Sequence, residues 1–415
     1  MNEQEPQNAN PTKGSPRAFL TLFAAALLLA LGGVAIASAV IDPFRVYRLG
    51  LRDDLNPHKL DVGRVMKAQM IRSNNAATVV LGSSRVNRGI NPEDPAWRQT
   101  PVVNASVGGA RIDELAHAIR LAASEPETER IVVFVDFYMT TQPTEGLHDY
   151  KQSLLNPELT LPARHATALV SRRAIDASLK VLENRDNGLQ HNSWPFNGYR
   201  SMGAPKGARD HRKLFDDMAR DSLRMMWMYG NYTWYDGTIA RLAEALERAE
   251  RPGLNITLAV MPVHAEHLAI IDAARLWPDF ERFKCELTRV GAERAIEVWD
   301  FAVLHEVTTE PIPPRGSRKP MTYWWESSHS TETTGALVIN RLNPTPNANA
   351  ASPTPTESNN PLGVRITPAN IDNHLGTQRA AYDAWAENNP GDLANIERIL
   401  SQIPPRLRPP KRRDG

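Results

Sequence analysis

Apolar residues follow two rhythms along this chain. Short runs that are apolar at nearly every position recur at Thr78-Val79-Val80-Leu81, Pro101-Val102-Val103 and Ile131-Val132-Val133-Phe134-Val135. Two more lie at Leu254-Asn255-Ile256-Thr257-Leu258-Ala259-Val260-Met261 and Ala295-Ile296-Glu297-Val298-Trp299. Such runs predict strands buried on both faces, as in a parallel sheet. Between them, apolar positions recur at helical spacing. Residues 58–72 place Leu60, Val62, Val65, Met66 and Met70 on one face, and residues 111–122 do the same with Ile112, Leu115, Ala118, Ile119 and Leu121. Residues 235–249 and 277–290 repeat the pattern, and a further helix closes the stretch 321–340. Strand alternating with helix predicts an α/β fold, a three-layer sandwich with a central parallel sheet. The rhythm breaks over residues 140–234, where helical patches at 162–182 and 210–227 come with no strand. That stretch reads as a helical insertion over the sheet edge, placed as a lid would be.

The two ends have a different character. Residues 1–17 are rich in Asn, Gln, Pro and charge and form a disordered tail. Residues 18–41 hold no charge and are long enough to cross a bilayer as one helix. A cleaved signal peptide is the competing reading, because Ala37-Ser38-Ala39 resembles a cleavage site. The length of the run and the partly acidic tail before it favour an uncleaved anchor. Lys13 and Arg17 before the span balance Arg45, Arg48 and Arg52 after it, so flanking charge gives almost no orientation. One N-terminal span before a long domain implies a single-pass protein with its bulk outside the cytoplasm. The α/β domain then covers residues 42–342. Residues 343–361, all but devoid of large apolar side chains, form a flexible linker. Residues 362–403 read as a helical C-terminal segment, opened by a Thr367-Pro368 cap, and 404–415 as a disordered basic tail.

Charge and cysteine narrow the function. A formal net charge of +1 over 415 residues, with no basic stripe, excludes a general nucleic-acid binder. The single cysteine, Cys285, excludes an intrachain disulfide and a cysteine zinc site. The abrupt stop of the first strand on Gly82-Ser83-Ser84-Arg85 delivers a hydroxyl where open α/β sheets hold their ligands. A polar turn is the plain alternative. His264 and His267 follow the fourth strand, and with no third ligand suggested they read as pocket-lining or capping residues, not a metal site. Trp324 and Trp325 suit core packing or stacking on a sugar.

Three segments at separate strand ends complete the picture: Gly82-Ser83-Ser84-Arg85, Asn104-Ala105-Ser106-Val107-Gly108-Gly109 and Glu326-Ser327-Ser328-His329. In that order they resemble the motif blocks of the SGNH (GDSL-like) hydrolase superfamily, in its Gly-Ser-Ser-Arg branch, with Gly89-Ile90-Asn91-Pro92 fitting the same branch. The resemblance implies an SGNH/flavodoxin-like sheet and no cofactor or metal. It makes Ser84 the nucleophile, His329 its base and Glu326 the acid that orients His329, with the amides of Ser84 and Gly109 holding the oxyanion. Two departures stand out. Ser83 occupies the place of an aspartate, and Glu326 replaces the Asp of an Asp-x-x-His block. The block that normally supplies an asparagine oxyanion donor is not visible, and the third strand ends instead on Asp136, whose charge would oppose an oxyanion. Asp300, at the end of the fifth strand, is the second candidate for the histidine's partner. The implied protein is a periplasm-facing esterase or O-acyltransferase of the inner membrane, acting on acylated envelope or secreted polysaccharide. A membrane-embedded acyl-donor protein is an implied partner. The alternative is a non-catalytic envelope protein of the same fold that assists polysaccharide assembly.

Overall fold

In a computed structural model the described residues are 15–44, 46–47, 49, 63–73, 75–141, 156, 159–186, 199, 209–225, 228–344 and 360–408. Most of the expected N-terminal tail, linker and C-terminal tail lies outside them, while Pro16 and Arg17, expected in the tail, open the first helix. The chain divides into two compact units, Met1–Leu60 with Thr160–His191, and Asp61–Leu159 with Asn192–Gly415.

In chain order the elements begin with α1 (Pro16–Ile41), α2 (Gly63–Ser73), β1 (Thr78–Leu81), α3 (Ser84–Gly89), β2 (Val102–Asn104), α4 (Ile112–Ser124) and β3 (Arg130–Phe134). Next come α5 (Leu161–Leu169), α6 (Arg172–Asp186), α7 (His211–Arg224), α8 (Asp236–Ala249), β4 (Asn255–Val260), α9 (Ala265–Ala273) and α10 (Trp277–Glu293). The chain closes with β5 (Glu297–Asp300), α11 (Glu332–Leu342), β6 (Val364–Ile366), α12 (Ile371–Asn388) and α13 (Pro390–Gln402).

The larger unit is α/β. Its six strands run in the order β2-β1-β3-β4-β5-β6, the first five parallel and β6 antiparallel to β5. β1 and β3 are buried at every position, which is why their sequences show no alternation. Even Arg130 is buried in β3, because its guanidinium reaches Asn343 Oδ1 and the Leu342 carbonyl at the end of α11. Val80, Val132, Phe134 and Ala259 from the strands pack with Val338 and Ile339 of α11 in one core cluster. Register pairs Leu81 with Val133, Phe134 with Ala259 and Val260 with Asp300, so the parallel strands end along one edge. The chain leaves β1 for β2 on one side and returns for β3 on the other, and β1 and β3 therefore flank the point where ligands settle in open α/β sheets.

The sheet differs from expectation at its far edge. Residues 362–403 do not form a purely helical segment beyond the domain. They open with β6, which pairs Val364 with Asp300 and Ile366 with Val298, and continue into α12 and α13. β6 has three residues and one clearly buried position, too short to carry a strand rhythm. The insertion is also divided. α7 and α8 belong to the α/β unit, whereas α5 and α6 belong with α1.

In the smaller unit, α1 is long and apolar enough to span a membrane. At 1.5 Å per residue it extends about 39 Å. Phe19, Leu20, Leu22, Phe23, Leu28 and Leu29 are exposed on it, as a helix solvated by lipid requires.

Candidate functional site

Ser84 is the first residue of α3, directly after β1, and Ser83 caps that helix by accepting the Arg85 amide at 3.2 Å. A first-turn amide such as that of Ser84 has no intrahelical acceptor. Gly82 permits the sharp exit from the strand, because a Cβ there would come within 2.5 Å of Val86 Cγ2. Ser84 is half-buried.

The imidazole of His329 meets it. His329 Nε2 lies 2.9 Å from Ser84 Oγ, and His329 Nδ1 is hydrogen-bonded to Glu326 Oε1. Burial of Glu326 favours the neutral acid, but His329 and two hydrogen bonds outweigh it, and the carboxyl titrates below its ordinary range. The second of those bonds comes from the Ser328 amide, which donates to Glu326 Oε2 at 2.7 Å, while Ser328 Oγ lies 3.2 Å from Oε1. An ionised carboxylate can only accept, so the ring proton sits on Nδ1, leaving Nε2 to accept from the serine hydroxyl. These are the tautomer and orientation that deprotonation of Ser84 requires.

The Glu326–His329 segment is a tight loop, not a helix. An antiparallel bridge between Trp324 and Ser330 closes it, and the Trp325 amide donates to the His329 carbonyl at 2.9 Å. Trp324 anchors the loop in a cluster with Phe215 and Met321, its Nε1 donating to the Val307 carbonyl. Its neighbour Trp325 is buried as well, with Arg209 over its ring and its carbonyl accepting from His211 Nδ1. Both tryptophans thus take the packing role.

The second block is held from beneath. Asn104 donates to the carbonyls of Val86 and Ile90 at 2.9 Å each and accepts the Ser106 amide, tying β2 to the serine-bearing helix. Lys67 donates to the Asn104 carbonyl and Arg64 to that of Gly108, so two buried cations on α2 brace the loop. Gly109, with φ of 62°, occupies the left-handed position of a turn closed by Ala110 N donating to Val107 O. A glycine suits that position in a β-turn. The Ser106 hydroxyl is buried and has no hydrogen-bond partner among the described residues.

Asp136 does not stand alone at the end of β3. Its Oδ1 pairs with Arg85 NH1 at 3.1 Å, both groups being buried. Burial works against the charge of Arg85, but Asp136 together with Tyr229 and Tyr138 outweighs it, so the guanidinium titrates above its ordinary value. The carboxylate that would repel an oxyanion is thereby neutralised. Arg85 NH2 also donates to His267 Nε2 at 3.0 Å, with the Tyr229 hydroxyl 3.1 Å from the same nitrogen. Arginine cannot accept, so the His267 proton resides on Nδ1 and points at Ser327 Oγ, 3.3 Å away. Burial first, then Arg85, holds His267 neutral far below its ordinary range. The chain Asp136–Arg85–His267–Ser327 joins the turn that carries Ser84 to the loop that carries His329.

The other candidates lie elsewhere. His264 caps α9, its Nδ1 accepting the Glu266 amide and its Nε2 donating to the Glu310 carbonyl, and burial lowers it to about 4. Asp300 is not the partner of His329. It binds Lys284 Nζ at 2.7 Å and His374 Nε2 at 2.8 Å and accepts the Ala302 amide. The sequence reading missed Arg85, Ser328 and Tyr229 as site residues, and gave His267 only a pocket-lining or capping role. Arg85 and Ser328 adjoin the assigned residues and carried a signal in that adjacency; Tyr229 carried none. No protein-family model, curated protein or solved structure matches the chain.

Proposed function

We propose that this protein is a membrane-anchored serine esterase or O-acyltransferase of SGNH type, built on a three-layer SGNH/flavodoxin-like sandwich. The observation that carries the proposal is the relay Ser84–His329–Glu326, with one imidazole nitrogen on a hydroxyl and the other on a carboxylate. Residues 245 positions apart share it, and a chance polar turn would not bring them together. The Ser84 oxygen attacks an ester carbonyl carbon while its proton passes to His329 Nε2. The amides of Ser84 and Gly109 serve the oxyanion. Collapse of the tetrahedral intermediate breaks the ester bond, and the leaving alkoxide takes the proton from His329. The acyl group stays on Ser84 until His329 deprotonates water or a sugar hydroxyl, which attacks the acyl carbon; collapse then breaks the bond from the acyl carbon to Ser84 Oγ, and His329 returns the proton to that oxygen. Glu326 stabilises the imidazolium in both halves.

The proposed substrate is an acylated glycan of the cell envelope or a secreted polysaccharide, met on the periplasmic side of the inner membrane. A membrane-embedded acyl-donor protein would supply the acyl group for transfer. The test is release or transfer of acetyl groups from acetylated polysaccharide by the full chain, with Ser84→Ala as the paired control. Acetyl release or transfer that vanishes in the variant supports the proposal. A folded wild type with no more activity than the variant would favour the non-catalytic scaffold instead.

A further inference from the structure

The smaller unit shows an apolar surface left exposed among the described residues. On α6, Ala174, Ala177, Ser178 and Val181 are buried and define the face turned inward. Ile175, Leu179 and Leu182 are exposed at 37%, 52% and 38%. At 3.6 residues per turn these three fall within about 60° of arc, roughly a third of a turn round from the buried face. Arg172, Asp176, Lys180 and Glu183 occupy the far side, with Arg172 and Asp176 paired in solvent. α6 is therefore apolar over two adjoining stripes, and packing accounts for only one. Leu161, at the start of α5, is 67% exposed.

The position of these helices identifies the occupant. α5 and α6 both pack on α1. The cover falls on its C-terminal third, where Ser38 is buried and Gly32, Val34, Ala35 and Ala39 are partly covered, while residues 16–31 are exposed throughout. A hydrocarbon core of about 30 Å takes about 20 residues of helix. α1 has 26 residues, so a span that begins just after Arg17 brings its C-terminal end to headgroup level, beside the stretch that α5 and α6 cover. An apolar stripe beside a charged ridge, on a helix packed against a lipid-facing one, fits a helix lying in the membrane interface.

We propose that α5 and α6 form an interfacial hairpin, with Leu161, Ile175, Leu179 and Leu182 inserted into the phospholipid layer beside α1. The proposal rests on α1 being a membrane anchor. The hairpin would fix the base of the anchor instead of leaving it a free tether.

Full-length protein carrying Cys285→Ser would be reconstituted in vesicles of phosphatidylethanolamine and phosphatidylglycerol. Single nitroxide labels at Leu28→Cys, Leu179→Cys, Leu182→Cys, Asp176→Cys and Lys180→Cys would be read by relaxation with oxygen and with a water-soluble nickel chelate. Labels at 28, 179 and 182 should favour oxygen, and those at 176 and 180 the chelate. A label at 28 shielded from the chelate, with 179 and 182 as open to it as 176, would overturn the hairpin and leave the anchor standing. Chelate access at 28 would overturn both. Protection of 179 and 182 only in native membranes, and not in these vesicles, would assign the stripe to a protein partner and likewise overturn the proposal.

Discussion

Among the described residues of the α/β unit two carboxylate–imidazole pairs, Glu326–His329 and Asp300–His374, serve different ends. In both, a buried carboxylate is held ionised against burial by nearby positive charge and hydrogen bonds. In the first, the other ring nitrogen faces a half-buried hydroxyl. In the second, the carboxylate is shared with Lys284 at zero exposure, and the cluster ties α10, β5 and α12 together. A histidine beside an acid is thus no signature of chemistry by itself. What separates the two pairs is whether the imidazole connects the acid to a group that can react.

The largest expected effect separates them by rate. His329→Ala should slow fluorophosphonate labelling by about 10²–10⁴-fold, the span of general-base contributions, with little change in melting temperature. Glu326→Gln keeps size and loses charge, and should slow labelling by about 10²-fold. The opposite pattern is expected at the second pair. Lys284→Met leaves Asp300 buried with one partner fewer and should cost about 3–5 kcal/mol in denaturant unfolding, while the folded protein labels at the wild-type rate. A labelling defect there at full stability would erase the distinction.

The smallest effect is in pH. Burial opposes ionisation of Asp300, but Lys284 and His374 prevail and its pKa lies below 3.8. A depressed carboxyl contributes stability that is complete above its unfolded pKa and is lost as pH falls through the lower folded value. Asp300→Asn should therefore lower stability at neutral pH and make the acid-unfolding limb below about pH 3.8 shallower. An unchanged limb, measured by urea melts across that range, would show that Asp300 is not held ionised.

Much of this was legible in the chain, for physical reasons. β1 and β3 are apolar at nearly every position because both faces are buried, and a run of that kind has few alternative fates. Ser84, Glu326 and His329 could be singled out because they stand where apolar runs stop and follow one another in a known order. Asp300 met the first of those criteria and was kept as a rival, since only tertiary packing reveals Lys284 and His374 around it. β6 was hidden by its length, and α9 by being buried on nearly every side, Glu266 and His267 included, which leaves no helical period to read. The fate of residues 161–186 was hidden differently. Their pattern announces helices but not what those helices lean on, and α1 stands more than a hundred positions earlier.

The most direct test is to treat the full chain in detergent with a fluorophosphonate and map the adduct by peptide mass spectrometry. The account requires modification of Ser84 in the wild type and none in Ser84→Ala, both proteins melting at similar temperatures. A folded wild type that takes no adduct, or takes it on another residue while Ser84 stays free, would contradict the claim that this hydroxyl is an activated nucleophile.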